Sequence, residues 1–361
     1  MIIDAHVHFT PPQLKTQLLT MGEPYMNRLL NGEGSIQGWV SAEKMIADMD
    51  AAGIDKVLLV GEYYQRHENC VMRNNQSIDL VNRYPDRIMS LAIVSPNAGE
   101  AAYTELKRCL DAGLVGLGEI NPYAQNFRLD DPIVSRLAEL CIERNVPINL
   151  HVGEEVGNWY TGKSTTPLRE YVDLAQRFPA LKLIFAHWGG GLIFYELMPQ
   201  VRKQLANVWY DTAASPLLYP TKRIFQTALT CIDPRKILYG SDYPLRIYPR
   251  KMRDPDFRPF VSAIRKCGLA CEADVFGNNF EQMMAQASES AVKSGSISRE
   301  MTLRGMLRQW PDSAEILTRY GLPTKDVAVP AWEPIRQAAA ARGLSDATQD
   351  ELMKELNELF E

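Results

Sequence analysis

The chain opens with Met1-Ile2-Ile3-Asp4-Ala5-His6-Val7-His8, an apolar run that ends in two histidines one residue apart. Side chains alternate faces along a strand, so positions two apart point the same way. His6 and His8 therefore present two imidazoles on one face at a strand's end, which is half of a metal site. A His-x-His pair also arises by chance, so its meaning depends on what the rest of the chain adds. Asp4 lies on the same face one step deeper and is expected to orient an imidazole N–H from behind.

Outward from that stretch, short apolar runs alternate with amphipathic ones. Strands are expected at Ile2–His8, Lys56–Gly61, Arg87–Val94, Val115–Ile120, Pro147–Val152, Lys182–His187, Val208–Asp211 and Ile237–Gly240. Helices are expected at 41–52, 68–84, 99–112, 131–144, 167–178, after the glycine triplet 189–191, and at 221–231, 257–268 and 277–287. Ser41 is the N-cap of the first and Gly53 its stop. Eight such strands, apolar on both faces, predict an α/β fold with a parallel sheet, and specifically a (β/α)8 TIM barrel. No G-x-G-x-x-G follows an early strand, which removes the main support for a dinucleotide-binding sheet. Residues 10–40 read as an irregular, partly helical excursion that helps roof a site.

The barrel is expected over 1–287, a Ser-rich linker over 288–296, and a small all-α appendage over 297–361 with helices at 301–309, 312–320, 332–342 and 347–360. Net charge is −5 in 361 residues, with both signs interspersed, so the basic face of a nucleic-acid binder is missing. No apolar run reaches membrane-span length, and no signal peptide is read at the start. The six cysteines form no C-x-x-C pair, so a cytoplasmic protein without disulfides is expected.

Four of the five histidines, His6, His8, His151 and His187, fall at expected C-terminal strand ends. In a barrel those ends form the catalytic mouth. Asp242 follows the eighth strand in Leu-Tyr-Gly-Ser-Asp-Tyr-Pro, and Glu119 ends the fourth in Gly-Leu-Gly-Glu-Ile. A carboxylate at the end of an apolar strand loses solvation unless a cation or donor compensates it.

The segments AHVHF, INLHVG, FAHWGGG, YGSDYPL and DVFGNNFEQMM resemble the amidohydrolase superfamily. They look most like its amidohydrolase-related branch, which includes aminocarboxymuconate-semialdehyde decarboxylase. The resemblance spans about residues 1–287. It implies His6, His8, His151 and Asp242 around one divalent ion, zinc first, with manganese, iron, cobalt and nickel as alternatives. His187 is implied as the outer base or polariser. A Gly-Glu-Ile segment similar to that of the TatD-type branch implies that Glu119 bridges two ions, in which case His151 and His187 hold the second. The tail resembles a small family of helical domains that often carries Cys-x-x-Cys after Tyr-Gly-Leu. Here Tyr320–Asp326 has no cysteine, which argues against a redox or metal role.

The expected activity is hydrolysis of an ester, lactone or amide in a small carboxylated substrate. Asp242 would take a proton from the metal-activated water, and His187 would stabilise the oxyanion. Non-oxidative decarboxylation is the alternative, using the same ligands. A metal-containing binding protein with a partner-recruiting tail is the reading from another class. Arg246 and Arg250 are expected to hold the substrate's carboxylate, with the backbone N–H groups of Gly189–Gly191 as a second anion site. Trp188, Tyr63 and Tyr123, together with Tyr64, Trp159 and Tyr160, are expected to line the pocket. A small-molecule substrate, no nucleic acid, no membrane and a homo-oligomer complete the expectation.

Overall fold

The apolar runs become parallel strands. The computed structural model describes residues 1–247, 252–286, 297, 299, 301, 303, 306, 307, 310–324 and 333–359. One sheet pairs β1 (Ile3–Val7), β2 (Lys56–Leu59) and β3 (Ile88–Ser90) in that order. The other pairs β4 (Leu117–Ile120), β5 (Ile148–Leu150), β6 (Leu183–Phe185), β7 (Val208–Asp211) and β8 (Ile237–Leu238), again in chain order. All pairings are parallel. Isolated parallel bridges, Val7 to Tyr243 and Ala92 to Leu117, connect the two sheets. Along these seams Ala5 N donates to Tyr239 O (2.7 Å), Asp242 N to His6 O (3.0 Å) and Gly118 N to Ala92 O (2.8 Å).

Most strands are shorter than the apolar runs that announce them. The expected Arg87–Val94 contracts to Ile88–Ser90, and Pro147–Val152 to Ile148–Leu150. Val60, Val94 and Val152 beyond the ladders remain buried. Burial, which the apolar pattern reports, thus continues after the chain has left the ladder and turned into a site loop.

Alternation splits the core into two layers. Ile3, Ala5, Leu58, Val60, Ile184 and Leu238 pack together on one face of the sheets, with Phe280 and Met283 from helix Asn279–Ala285. Val57, Leu59, Leu183, Phe185 and Val208 face the helices on the other. Helices connect the strands much as expected, at Ala42–Ala52, His67–Arg83, Glu100–Asp111, Pro132–Glu143, Leu168–Arg177 and Thr221–Cys231. The first begins where Ser41 Oγ accepts from Lys44 N (3.2 Å) and ends at Gly53 in the left-handed region.

The 10–40 excursion is more regular than its sequence suggested. It contains helices Pro12–Gln17 and Pro24–Asn31, each started by a proline, whose missing N–H has no helical partner to lose at that position. Leu14, Leu18, Met26 and Leu30 bury against Tyr63, Tyr64 and Ile93. The buried Glu23 fastens the excursion down. It accepts from Gln65 N (3.0 Å), Arg66 N (2.9 Å) and Asn69 Nδ2 (2.8 Å).

Beyond residue 296, helices Ser313–Arg319, Ile335–Ala341 and Asp346–Glu358 are described. Leu303, Met306, Ile316, Leu317, Leu352 and Leu356 bury in a cluster of their own. The linker expected at 288–296 and parts of the expected 301–309 and 332–342 helices lie outside the described residues. The six cysteines are free thiols. No helix among the described residues is long and apolar enough to cross a membrane.

Candidate metal and substrate site

The strand ends bring the expected side chains together. His6 lies within β1 and His8 just past it, Glu119 in β4, His151 after β5, His187 after β6 and Asp242 after β8. Glu119 occupies the middle. Its carboxylate oxygens stand 2.9 Å from His151 Nδ1, 3.5 Å from His187 Nε2, 3.6 Å from His6 Nε2 and 3.9 Å from His8 Nε2. Asp242 Oδ1 lies 3.3 Å from His8 Nε2 and 4.0 Å from His6 Nε2. His6, His151, His187, Glu119 and Asp242 are all buried, and His8 nearly so.

The outer nitrogens fix the tautomers. His6 Nδ1 donates to Asp211 Oδ2 (2.9 Å), His151 Nε2 to Gly162 O (3.1 Å) and His187 Nδ1 to Ala213 O (3.1 Å). A carbonyl or carboxylate oxygen only accepts, so those ring nitrogens carry the hydrogens. His6 Nε2, His151 Nδ1 and His187 Nε2 are left with lone pairs turned toward two carboxylates. The Tyr63 hydroxyl is a donor in this group, giving to Glu119 Oε2 (2.9 Å) and lying 2.9 Å from His151 Nδ1. His6 Nε2 is buried without any hydrogen-bond partner. A buried convergence of acceptors needs a cation. Among the described residues, three triads have ligand atoms within 4.8 Å of one another: His6–His8–Glu119, His6–His187–Asp242 and Glu119–His151–His187.

The proton affinities carry the same message. Burial disfavours the His6 imidazolium, yet Asp211, Glu119 and Asp242 outweigh it and push its pKa up to about 10. Burial likewise opposes His187, and Glu119 and Asp242 raise it to about 9. Burial works against the Asp242 and Glu119 carboxylates, but the surrounding histidines hold Asp242 below its usual value and Glu119 well below. The cluster draws positive charge to its centre.

Local backbone explains the convergence. His187 (φ 59°) and Asp242 (φ 65°) both adopt the left-handed region, uncommon for residues with a Cβ. Asp211 Oδ1 accepts from His187 N and Ala213 N, both at 3.0 Å, and so holds the first of these turns. Gly118 approaches the next strand so closely that a Cβ would lie 2.5 Å from Asn149 O. Gly190, at φ +58°, would meet Gly153 O at 2.4 Å. The glycine triplet is therefore a buried packing device; the helix that follows it, Leu192–Tyr195, is a single turn.

A cavity of about 470 Å³ opens onto His8, His151, His187 and Asp242. Tyr63 and Tyr160 line it, as expected. Several expectations change. Trp188 is fully buried, its Nε1 donating to Ser215 Oγ (2.9 Å) and its ring packed on Phe225, so it stays behind the site. Tyr123 is partly exposed beside Tyr25 and does not reach the cavity wall. Arg246 Nη2 is spent on Ser35 O (3.1 Å), fastening the loop after β8 to the roof. Asp4 orients no imidazole: its Oδ1 accepts from His6 N (3.1 Å) and Ser241 N (3.0 Å). Of the other expected lining residues, Tyr64 is buried beneath the roof and Trp159 is exposed. Arg250 lies outside the described residues.

Sequence reasoning missed Asp211, which orients His6 and fixes the backbone at His187. Its signal was the one already applied to Glu119, a carboxylate closing an apolar strand.

Comparison with known proteins adds chemistry to this geometry. The family model described as amidohydrolase matches residues 3–279. A curated relative, 2-amino-3-carboxymuconate-6-semialdehyde decarboxylase of Dictyostelium discoideum, is 22% identical over 233 residues. That match covers 55% of this chain and 63% of the relative, so the chain spans less than two thirds of the relative's length. Among solved structures, 5-carboxyvanillate decarboxylase of Sphingomonas paucimobilis superposes with a TM-score of 0.63 at 18% identity, covering 78% of this chain and 98% of that one. Dihydroxybenzoic acid decarboxylase of Polaromonas sp. JS666, solved with bound manganese and the inhibitor 2-nitroresorcinol, gives 0.60 at 18% identity, covering 78% and 96%. At these identities the structures share the fold. The expected hydrolysis of an ester, lactone or amide is corrected here, because the curated relative and both structures are named for decarboxylation.

Proposed function

The chain belongs to the amidohydrolase family, and on that premise we propose that it is a metal-dependent, non-oxidative decarboxylase of a small carboxylic acid. The observation that carries this is the convergence of three imidazole lone pairs and two carboxylates at the floor of a cavity large enough for a one-ring acid. The decarboxylase names of its relatives support it. The two bridges between the sheets support reading them as one closed (β/α)8 barrel with the site at its C-terminal mouth. An experimental structure with either seam open to solvent would overturn that closure.

His6, His8, His151 and Asp242 would hold one divalent ion; in the two-ion alternative Glu119 would be shared, and His151 and His187 would instead hold the second. Manganese replaces zinc as the assignment. The Polaromonas neighbour was solved with manganese bound, which supports that choice. When bound, the ion supplies positive charge that draws off the electron pair released when the substrate loses CO2.

The protein's own groups do the rest. The C–C bond to the carboxylate breaks, its electron pair stays on the substrate carbon, and CO2 departs. In the one-ion site His187 stays off the metal; fixed through Nδ1 by Ala213 O and protonated at Nε2 as its raised pKa of about 9 favours, it gives that second proton to the carbon and is reprotonated from solvent. Met26, Leu29, Ile36, Leu217 and Leu245 surround the cavity with apolar surface, which favours dispersing the carboxylate's charge into neutral CO2. Tyr63 holds Glu119 in place.

Stripping divalent ions with a chelator should abolish CO2 release from a panel of carboxylated hydroxyarenes and unsaturated acids, and manganese should restore it. Full activity of the metal-free protein would sink the reading.

The described residues beyond 296 bury a cluster of their own, which supports reading the tail as a separate helical unit outside the chemistry. A variant ending at residue 287 should therefore fold and keep its metal. Loss of both would make the tail integral to the barrel.

A further inference from the structure

Three of the four histidines at the strand ends are aimed by an oxygen on the outer ring nitrogen: His6, His151 and His187. His8 is aimed differently, because its Nδ1 is buried without a hydrogen-bond partner among the described residues. The backbone that carries the ring must hold it. Val7 O accepts from Val60 N (2.9 Å), and His8 N donates to Tyr243 O (2.7 Å). Phe9 O lies past the end of β1, and its donor is a side chain, Arg73 Nη2.

Arg73 comes from helix His67–Arg83 and is buried. The same Nη2 donates to Glu62 Oε1 (2.9 Å), Nε donates to Glu62 Oε2 (3.3 Å), and Nη1 meets Gln76 Oε1. Glu62 follows β2, is equally buried, and lines the cavity that His8 also lines. Burial works against the guanidinium, yet Glu62 holds its pKa above the usual value. One planar fork thus ties the loop after β1 to the loop after β2. A lysine's point charge cannot serve those acceptors in the same way. Neighbouring side chains on the helix brace other places. Asn69 Nδ2 donates to Met21 O (3.0 Å) and Glu23 in the roof, and Asn74 holds the Ile93 N–H (2.9 Å) and C=O (2.8 Å) after β3. Of the three, Arg73 is the one that reaches the residue next to a site histidine.

Resting on the metal-site reading above, we propose that Arg73 is a positioning residue for His8: paired with Glu62, it fixes the Phe9 carbonyl and thereby holds the His8 ring where a ligand must stand. A constellation of this kind works only when held within roughly 0.5 Å of its productive geometry, so a loosened carbonyl beside a ligand is felt as lost metal affinity.

The test is a double-mutant cycle in manganese affinity, read on the full chain by competition with a chelating dye. Arg73→Ala would leave Glu62 buried without its partner, so two other variants are used. Glu62→Met combined with Arg73→Met removes both charges together, a change that buried ion pairs commonly tolerate. It should weaken manganese binding by roughly tenfold or more, as for other groups that orient a ligand. Arg73→Lys keeps a charge opposite Glu62 and should lose a smaller part of the affinity. Asn69→Ala, on the same helix, should lower the melting temperature and leave the affinity unchanged. In a His8→Ala background the paired methionines should cost nothing further, because the ring they would misplace is gone. Wild-type affinity in the methionine pair or in Arg73→Lys, or an equal loss with and without His8, overturns the proposal. Wild-type affinity in His8→Ala itself removes His8 from the ligand set, which overturns that part of the metal reading and this proposal with it.

Discussion

Replacing His151 with alanine should leave a folded protein that has lost most of its divalent metal and its CO2 release. His151 Nδ1 lies 2.9 Å from Glu119 and 3.1 Å from His187 Nε2, so it sits between the two groups that would share or flank an ion. Its other nitrogen is tied to Gly162 O, which fixes the ring with its lone pair inward. Partners that only orient a ligand are worth roughly ten- to a hundredfold in metal affinity, so a direct ligand should exceed that. Turnover should fall by at least about a hundredfold on the same grounds. The backbone need not suffer, because Tyr171 bonds to His151 O rather than to the ring. Elemental analysis of the purified variant checks the ligand assignment. Full metal content would remove His151 from it, whatever the activity.

Asp211→Asn should weaken metal binding by roughly ten- to a hundredfold without unfolding the protein. Asparagine keeps an acceptor for the His187 and Ala213 amides, but it can place an N–H against the His6 Nδ1–H. That conflict turns the ring or moves its proton to the inward nitrogen, where the lone pair is needed. Asp211→Ala should do more. It strips acceptors from His6 Nδ1, His187 N and Ala213 N together, and leaving buried donors unpaired costs about 1–3 kcal/mol each. Competition with a chelating dye reads the first effect and thermal melting the second. An asparagine variant with wild-type affinity would show that Asp211 does not orient His6.

The sequence foretold the parts of this site that repeat a pattern. Eight apolar runs and four histidines at their ends are each local signals, and the strands and side chains fall where those signals put them. Signals that depend on distant partners were weaker. Nothing local distinguishes an arginine reaching into a cavity from one clasping a carbonyl, so Arg246 was assigned to the substrate while its side chain holds Ser35 O. Trp188 follows a strand end like the site histidines, but the left-handed turn at 187–190 sends its indole to Ser215. The reaction itself was illegible for a chemical reason. Hydrolysis and decarboxylation use the same ligands and differ in what the cavity walls bring to them.

The bond between His6 and Asp211 joins residues 205 positions apart, and Asp4 meets Ser241 across 237. Both ends are needed before the floor of the cavity exists. During synthesis β1 emerges with its histidines unmatched and waits until β7 and the loop after β8 leave the ribosome. Contacts of such separation form late and slowly. With the proposed ligand set, ion capture would be a terminal event of folding, and the moment a nascent chain took up metal would mark the meeting of β1 with β7 and the loop after β8.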